Sequence, residues 1–442
     1  MDPGQRNCRA CGAMTGLLLS GFFAACGGDD PVSPAPPPPP PTTTTLSGAI
    51  TQSMELDPDL TYHIQGTTIV EAGATLTIPA GTLLLGDVNF TGSALIVRQG
   101  GRLVARGTAQ EPIVFTSSNP EGSRRRGDWG GVVLNGRSNC NFPSDECVGE
   151  GNSGPYGGTI TDDDSGQLSY VRIEHGGLEV SFGNELNGLT LNGVGSGTQL
   201  DHIQSHYGSD DGIELLGGTV DLKYAYVTGA SDDSFDYSTG WQGRGQFWAA
   251  QQDPHDADNG FEVDGNEENF DAEPFTDPDI YNVTLVGKEA GTGSAGESKR
   301  GIIFRRGTAG SVYNVVILGF EKGFDVDQQE TAARVQIRNS YVFGQEDGMF
   351  ESDDGDESDA PIDEEALWST DGWGNVAGVD PLLVNPFNLG MPDFRPAAGS
   401  PLTDGYAEPP AGGDFFEAVD YIGAFAPGMP QWIEGWTTTD QG

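Results

Sequence analysis

Residues 200–215, Leu-Asp-His-Ile-Gln-Ser-His-Tyr-Gly-Ser-Asp-Asp-Gly-Ile-Glu-Leu, lie without a gap over residues 222–237, Leu-Lys-Tyr-Ala-Tyr-Val-Thr-Gly-Ala-Ser-Asp-Asp-Ser-Phe-Asp-Tyr, at an offset of 22. Ser209-Asp210-Asp211 falls on Ser231-Asp232-Asp233. A period near 20 residues is the signature of stacked coils. It is too short for two helices per repeat, and the ladder of leucines closed by an asparagine is missing. An all-β parallel β-helix satisfies both facts, because each coil adds short strands that hydrogen-bond to the same strands of the next.

The pattern continues in both directions. Upstream, the apolar triplets that start at Leu76, Leu95, Ile113 and Val132 are 19, 18 and 19 residues apart. Downstream, the motif returns as Asp258-Asn259-Gly260-Phe261-Glu262-Val263, Lys322-Gly323-Phe324-Asp325-Val326 and Asp347-Gly348-Met349-Phe350-Glu351. The wider offsets there place inserted loops around residues 264–279 and 289–299. Strand alternation turns Ile213, Phe235, Phe261 and Phe324 inward, and Glu214, Asp236, Glu262, Asp325 and Glu351 outward.

Composition agrees. The chain has 442 residues, 67 of them glycine, and 36% hydrophobic residues with 9% aromatic, enough for a sizeable core despite a formal charge of −45. That charge excludes nucleic acid as a partner, since an acidic surface repels phosphate and gains nothing from counterion release.

The N-terminus carries an address. Arg6 and Arg9, the short apolar stretch from Ala13 to Ala25 and the small residues before Cys26 read as an export signal over residues 1–26. Residues 27–45, with Pro36 to Pro41 and Thr42 to Thr45, read as a semi-rigid spacer of about 3.1 Å per residue where proline dominates. Residues 46–442 form the body, with a C-terminal cap from about 380 to 442. Of five cysteines, Cys8 and Cys11 leave with the signal, and Cys140 and Cys147 are expected to pair, as an oxidising compartment allows.

Phe23-Ala24-Ala25-Cys26 resembles the lipobox of bacterial lipoproteins, which implies lipidation of Cys26. Gly27 after it implies, by the same resemblance, an anchor in the outer membrane and a body presented at the cell surface. The stretches TTIVEAGATLTIPAGTLLL (67–85) and GSALIVRQGGRLVARGTAQEPIVFTS (92–117) resemble the first coils of exported right-handed parallel β-helix proteins of the pectin-lyase-like superfamily. DWGGVVLNGRSNC (128–140), LSYVRIEHGG (168–177), ELNGLTLNGVGSGTQLDHIQ (185–204) and DDGIELLGGTV (210–220) resemble a subgroup of bacterial lipoproteins largely without assigned function. The ending GVDPLLVNPFNLGMPDFRPAAGSPLTDG (378–405) followed by DYIGAF (420–425) matches a common ending of such helices. The resemblance is specific for fold and weak for activity, because the superfamily hosts lyases, hydrolases, adhesins and proteins with no known chemistry.

The chemistry the sequence offers is acidic. Coils stack about 4.8 Å apart, so Asp210 should sit near Asp232 and Asp211 near Asp233. Such neighbours repel, and three compensations are open: a bound Ca²⁺, a raised pKa on one partner, or aspartates turned into backbone hydrogen bonds at the turn. Glu214 and Asp236 extend the candidate metal set, while Asp162-Asp163-Asp164 and Asp353 to Glu357 lack EF-hand spacing. Catalytic candidates are Asp210, Asp211, Asp232, Asp233 and His206, as glycosidase acids. The Gly-His-Gly and Arg-x-Lys patterns of polygalacturonase-like hydrolases are absent. A lyase would need a base such as Arg305, Arg306 or Lys223. Trp241, Phe247 and Trp248 either stack on sugar rings or are buried against the helix. His175 and His202 read as packing or surface residues, and Arg124-Arg125-Arg126 as a solvated loop tip. The two functional readings are a non-catalytic module binding polysaccharide or an envelope protein, with calcium as its one cofactor, and a polysaccharide-degrading enzyme.

Overall fold

The computed structural model describes residues 42–142, 147–181, 183–351, 361–411 and 413–442. The export signal, Cys26, most of the spacer and the Asp353 to Glu357 cluster lie outside the described residues.

The repeat at residues 200–237 sets the register of the whole solenoid. Leu200 pairs with Leu222 and Ile213 with Phe235, both in parallel, so the offset seen in the sequence is the hydrogen-bonding register itself. Twenty-four strands join in this way into one parallel system, a right-handed parallel β-helix. One inward column runs Leu189, Ile213, Phe235, Phe261, Ile302 and Phe324 through five successive pairings, and all six residues are fully buried. Each rung therefore repeats the burial of the last, which gives a solenoid its nearest-neighbour stability. Thr42 to Thr45, read as the end of the spacer, already belong to the first strand, Thr42–Ile50, paired to Leu60–Val70. The spacer is corrected to end before Thr42, since the four threonines are β-branched and take the sheet's hydrogen bonds.

One corner has a feature with no counterpart in the sequence reading. Tyr170, His202, Tyr224, Phe247, Asn282, Asn314 and Asn339 all have φ between 50° and 64°, and each bends its strand at the same point of its coil. Left-handed backbone is costly for aromatic residues. Here the first four rings stack at centroid distances of 4.1, 4.4 and 4.9 Å, each contact worth about 0.5–1.5 kcal/mol. The asparagines, which tolerate this conformation, take over in the later coils.

The C-terminal cap is corrected. The late end of the helix is covered by the short helix Glu364–Trp368, whose N-cap Asp363 accepts from the Ala366 amide at 2.9 Å. Its Trp368 is buried against Phe324 and Phe350. Residues 380–442 instead run back along the flank as a strap. Asn314 exchanges two hydrogen bonds with Ala407, Asn282 donates to the Tyr421 and Gly423 carbonyls, Gln246 exchanges two with Glu417 and Gln204 two with Thr438. Apolar contacts fill the spaces between, with Tyr226, Ala249 and Val286 against Phe394, Phe425 and Ile433. A segment lies lengthwise here because the outward flank offers amides and apolar faces, which must be covered together.

Candidate functional site

Three successive coils carry aspartate and glutamate at the same places. Their turns place Asp210, Asp232 and Asp258 in one column, Asp211, Asp233 and Asn259 in a second, and Glu214, Asp236 and Glu262 in a third. Four triads bring one oxygen per residue within 4.8 Å of each other: Asp210/Asp211/Asp232, Asp232/Asp233/Asp258, Asp211/Glu214/Asp236 and Asp233/Asp236/Glu262. The four reduce to two arrangements, each repeated one coil further on. The sequence-predicted acids are thus brought together.

The second column caps turns. Asn187 Oδ1 accepts from the Asp211 amide at 3.0 Å, Asp211 Oδ1 from the Asp233 amide at 3.0 Å, and Asp233 Oδ1 from the Asn259 amide at 2.6 Å. This is the ordinary use of Asp and Asn at a turn, and the two asparagines show that it needs no charge. The second oxygens of Asp211 and Asp233 remain for the triads. In the third column, Glu214 Oε2 accepts from Asn187 Nδ2 at 2.7 Å. Asp236 Oδ1 is enclosed and accepts no hydrogen bond among the described residues.

These carboxyls resist ionisation. Burial, then Glu185 and Asp232, push Asp210 up to about 8. Asp232, at the open rim, rises to about 6 through partial desolvation, then Asp258 and Glu262. Asp211, Glu214, Asp233 and Asp236 are all held well above the usual carboxylate range by burial, then by one another and by Glu150 and Glu262. Glu150 and Glu185 come from the hairpins Cys147–Gly149/Gly154–Tyr156 and Leu178–Ser181/Asn184–Leu186. The first hairpin is tied to the body by the Cys140–Cys147 disulfide, as expected from the sequence.

Among the described residues, cations reach only the far edge of this array. Lys299 pairs with Asp258 at 3.0 Å, and Arg305 with Glu262 and, at 2.6 Å, with Asp264, which Arg306 also meets at 2.6 Å. The outward acidic row is shorter than the sequence reading has it: Ile303 stands between Glu262 and Asp325, and Asp325 is buried in an ion pair with Arg300. A coil with Lys299, Arg300 and Ile303 at the acid positions ends the array.

Other candidates are corrected. His206 is buried, with Nδ1 2.6 Å from Thr228 Oγ1 and Nε2 2.7 Å from the Asp440 carbonyl, so neither nitrogen serves the acids as a catalytic group. Lys223 is bound to the strap through Glu417 at 3.1 Å and the Phe415 carbonyl. Trp241 and Trp248 have no exposed surface; they stack on each other at 6.0 Å inside the helix and donate to the Val220 and Leu222 carbonyls, so they cannot stack on a ligand. Arg126 is no loop tip: it lies 4.7 Å over the Tyr207 ring and pairs with Asp253 and Asp256, clamping coils together.

The fold is a parallel β-helix whose side carries a repeating carboxylate array. A family model described as the pectate-lyase like beta helix domain matches residues 48–357, and the chain belongs to that family. Comparison with curated proteins and with solved structures found no match. The family carries the fold; it does not by itself carry the activity.

Proposed function

We propose that this protein is a non-catalytic binding module that takes divalent cations, calcium first, on the array of Asp210, Asp211, Glu214, Asp232, Asp233 and Asp236, and through them an acidic polysaccharide. The observation that carries this reading is the pair of carboxylate triads repeated one coil apart, with Asp236 Oδ1 enclosed and, among the described residues, without a hydrogen-bond partner at the point where two triads meet. Hard oxygen ligands suit calcium, which accepts six to eight of them in adaptable geometry. A cation removes the repulsion among these acids, and its open coordination positions at the rim meet a uronate that the bare acidic face would repel. Arg305 and Arg306, the bases a lyase would use, are held in ion pairs. An envelope protein is the alternative ligand.

One observation favours the enzyme reading: Asp210, pushed up to about 8, keeps a proton at neutral pH beside other carboxylates, as a glycosidase acid must. One experiment separates the two. Neutral and uronate polysaccharides are incubated with the purified body, with calcium or with chelator, and assayed for retention on the protein, new reducing ends and unsaturated products absorbing in the ultraviolet. We expect calcium-dependent retention of uronates without cleavage. Cleavage lost in Asp210→Asn would establish the enzyme instead.

We propose further that Cys26 carries lipid and holds the body at the outer membrane, facing outward. This rests on the lipobox and the proline spacer. Among the described residues no helix is long and apolar enough to cross a membrane. Cys26→Ser should therefore move the protein from the membrane to the soluble fraction; a variant still sedimenting with membranes would end the lipid-anchor reading.

A further inference from the structure

The strap ends on His206, and beside it stands His175; the candidate site uses neither imidazole. His206 faces it with Nε2 against the Asp440 carbonyl at 2.7 Å. A carbonyl only accepts, so Nε2 carries a hydrogen; with no proton on Nδ1, that nitrogen, 2.6 Å from Thr228 Oγ1, accepts from the hydroxyl. The ring is neutral in this arrangement. A second proton, on Nδ1, would have to turn the Thr228 hydroxyl away. His175 stands edge-on to His206 with ring centroids 6.0 Å apart. It is 1% exposed, and its Nδ1 has no hydrogen-bond partner among the described residues. A proton there would be a buried cation with nothing to donate to.

The surroundings favour neutrality. Arg124 and Arg126 face His175 from the loop before Trp129, with Asp128 from the same loop and Asp440 from the strap. His206 faces His175 and Arg172 from the preceding coil, Asp440 from the strap, and the Tyr207 ring at 4.8 Å. Glu174, next to His175 in sequence, is taken up by Arg172 at 2.9 Å and Arg124 at 3.9 Å. The strap closes over this corner with Trp436 buried edge-on to Tyr170 and His202, the two Gln204–Thr438 hydrogen bonds, and the Asp440 carbonyl on His206.

We propose that the strap's last segment, residues 432–442, is an acid-labile latch, shut while His175 and His206 are neutral and opened when they are protonated. Burial first, and the neighbouring arginines after it, hold His175 down to about 4, while burial, then His175 and Arg172, hold His206 down to about 3. In water both return to about 6.5. The closed state therefore binds fewer protons than the open one, and its advantage is whole above pH 6.5 and lost as pH falls below it. At pH 5 each imidazole shifts the latch toward opening by roughly 30-fold relative to pH 8. Glu174, raised by burial, works in the opposite direction as it takes up its own proton. Opening uncovers Gln204, Tyr226 and the edge of the aromatic stack, groups that now hold the strap.

Hydrogen exchange of the full chain tests this, with peptides covering residues 425–442 compared at pH 8 and pH 5 after correction for intrinsic exchange. Protection there should fall by about 100-fold or more, while strands Ile213–Leu216 and Phe235–Ser238 keep theirs. In the His175→Asn/His206→Gln double variant, which keeps a donor toward Asp440 but cannot titrate, the change should shrink to about threefold or less. Equal protection of the strap at the two pH values, or full pH dependence in the double variant, overturns the latch. Ring carbon NMR of the wild type covers the case of a variant that does not fold. Both imidazoles neutral down to pH 5 in the closed protein support the latch; titration near 6.5 with the strap still protected refutes it.

Discussion

Stripped of divalent cations, the protein should be more stable at pH 5 than at pH 8, its thermal midpoint falling as the pH rises. Asp210, Asp211, Glu214, Asp233 and Asp236 all have their folded pKa raised above the unfolded value. A carboxyl of this kind contributes stability that is complete below its unfolded pKa and lost as pH rises through the folded one. For Asp210, between about 4 and about 8, the loss from pH 5 to pH 8 is about 3 kcal/mol. The deeper four add to it, while His175 and His206, whose folded pKa is lowered, oppose it by roughly 30-fold each at pH 5. In the His175→Asn/His206→Gln background, which removes that opposition, the summed effect should lower the midpoint by at least about 5 °C. Calcium should reverse the trend, because it binds the ionised acids and stabilises the fold by about 2.7 kcal/mol per site at a hundredfold excess over its dissociation constant. Asp236→Asn separates repulsion from ligation, since Asp236 belongs to two triads. The variant should melt higher than wild type at pH 8 in chelator and gain less from calcium. A chelated His175→Asn/His206→Gln protein whose midpoint is flat or rises from pH 5 to pH 8 would show that these acids are already compensated within the protein.

The register of the solenoid was legible because a coil copies its predecessor: Ser-Asp-Asp over Ser-Asp-Asp is the same turn displaced by one rung. The acid columns followed from that register alone. What could not be read depends on contacts that the repeat does not encode. Ile303 enters the acidic row because the loop after Asp264 changes the local offset, so Glu262 and Asp325 look adjacent in sequence and are two rungs apart. The aromatic corner is spread over unequal intervals, and only the left-handed backbone at Tyr170, His202, Tyr224 and Phe247 identifies it. The strap was hidden for a different reason. Gln204, Gln246, Asn282 and Asn314 read as surface amides until a segment 93 to 234 residues away in sequence is seen to take their hydrogen bonds. His206 belongs with them, since a histidine four residues before a candidate acid looks like its partner, while its place at the end of the strand Gln199–His206 turns it toward the strap.

Trp248→Ala should cost the fold about 3–5 kcal/mol, the range for removing a large buried aromatic, and should leave polysaccharide retention per folded molecule unchanged. The ring has no exposed surface and fills the centre of the coil, with Phe235 stacked at 4.8 Å, Trp241 at 6.0 Å and Phe261 edge-on at 5.9 Å. Its indole nitrogen satisfies the Leu222 carbonyl at 2.9 Å, so truncation leaves an unpaired acceptor beside the cavity. Phe235 and Phe261 cannot close the space, because each belongs to a strand whose register is fixed by the coils on both sides. The same pairing transmits the loss. Trp248 lies between Ala225 and Val283 in the ladder, and a slack rung there weakens the packing beneath Phe235 and Phe261, the residues just before Asp236 and Glu262. Denaturant unfolding gives the first quantity, and calcium-dependent uronate retention, normalised to folded protein, gives the second. Loss of retention with stability intact would return Trp248 to the role of a ligand platform. Loss of stability with retention intact would make it the packed centre on which the acidic rungs stand.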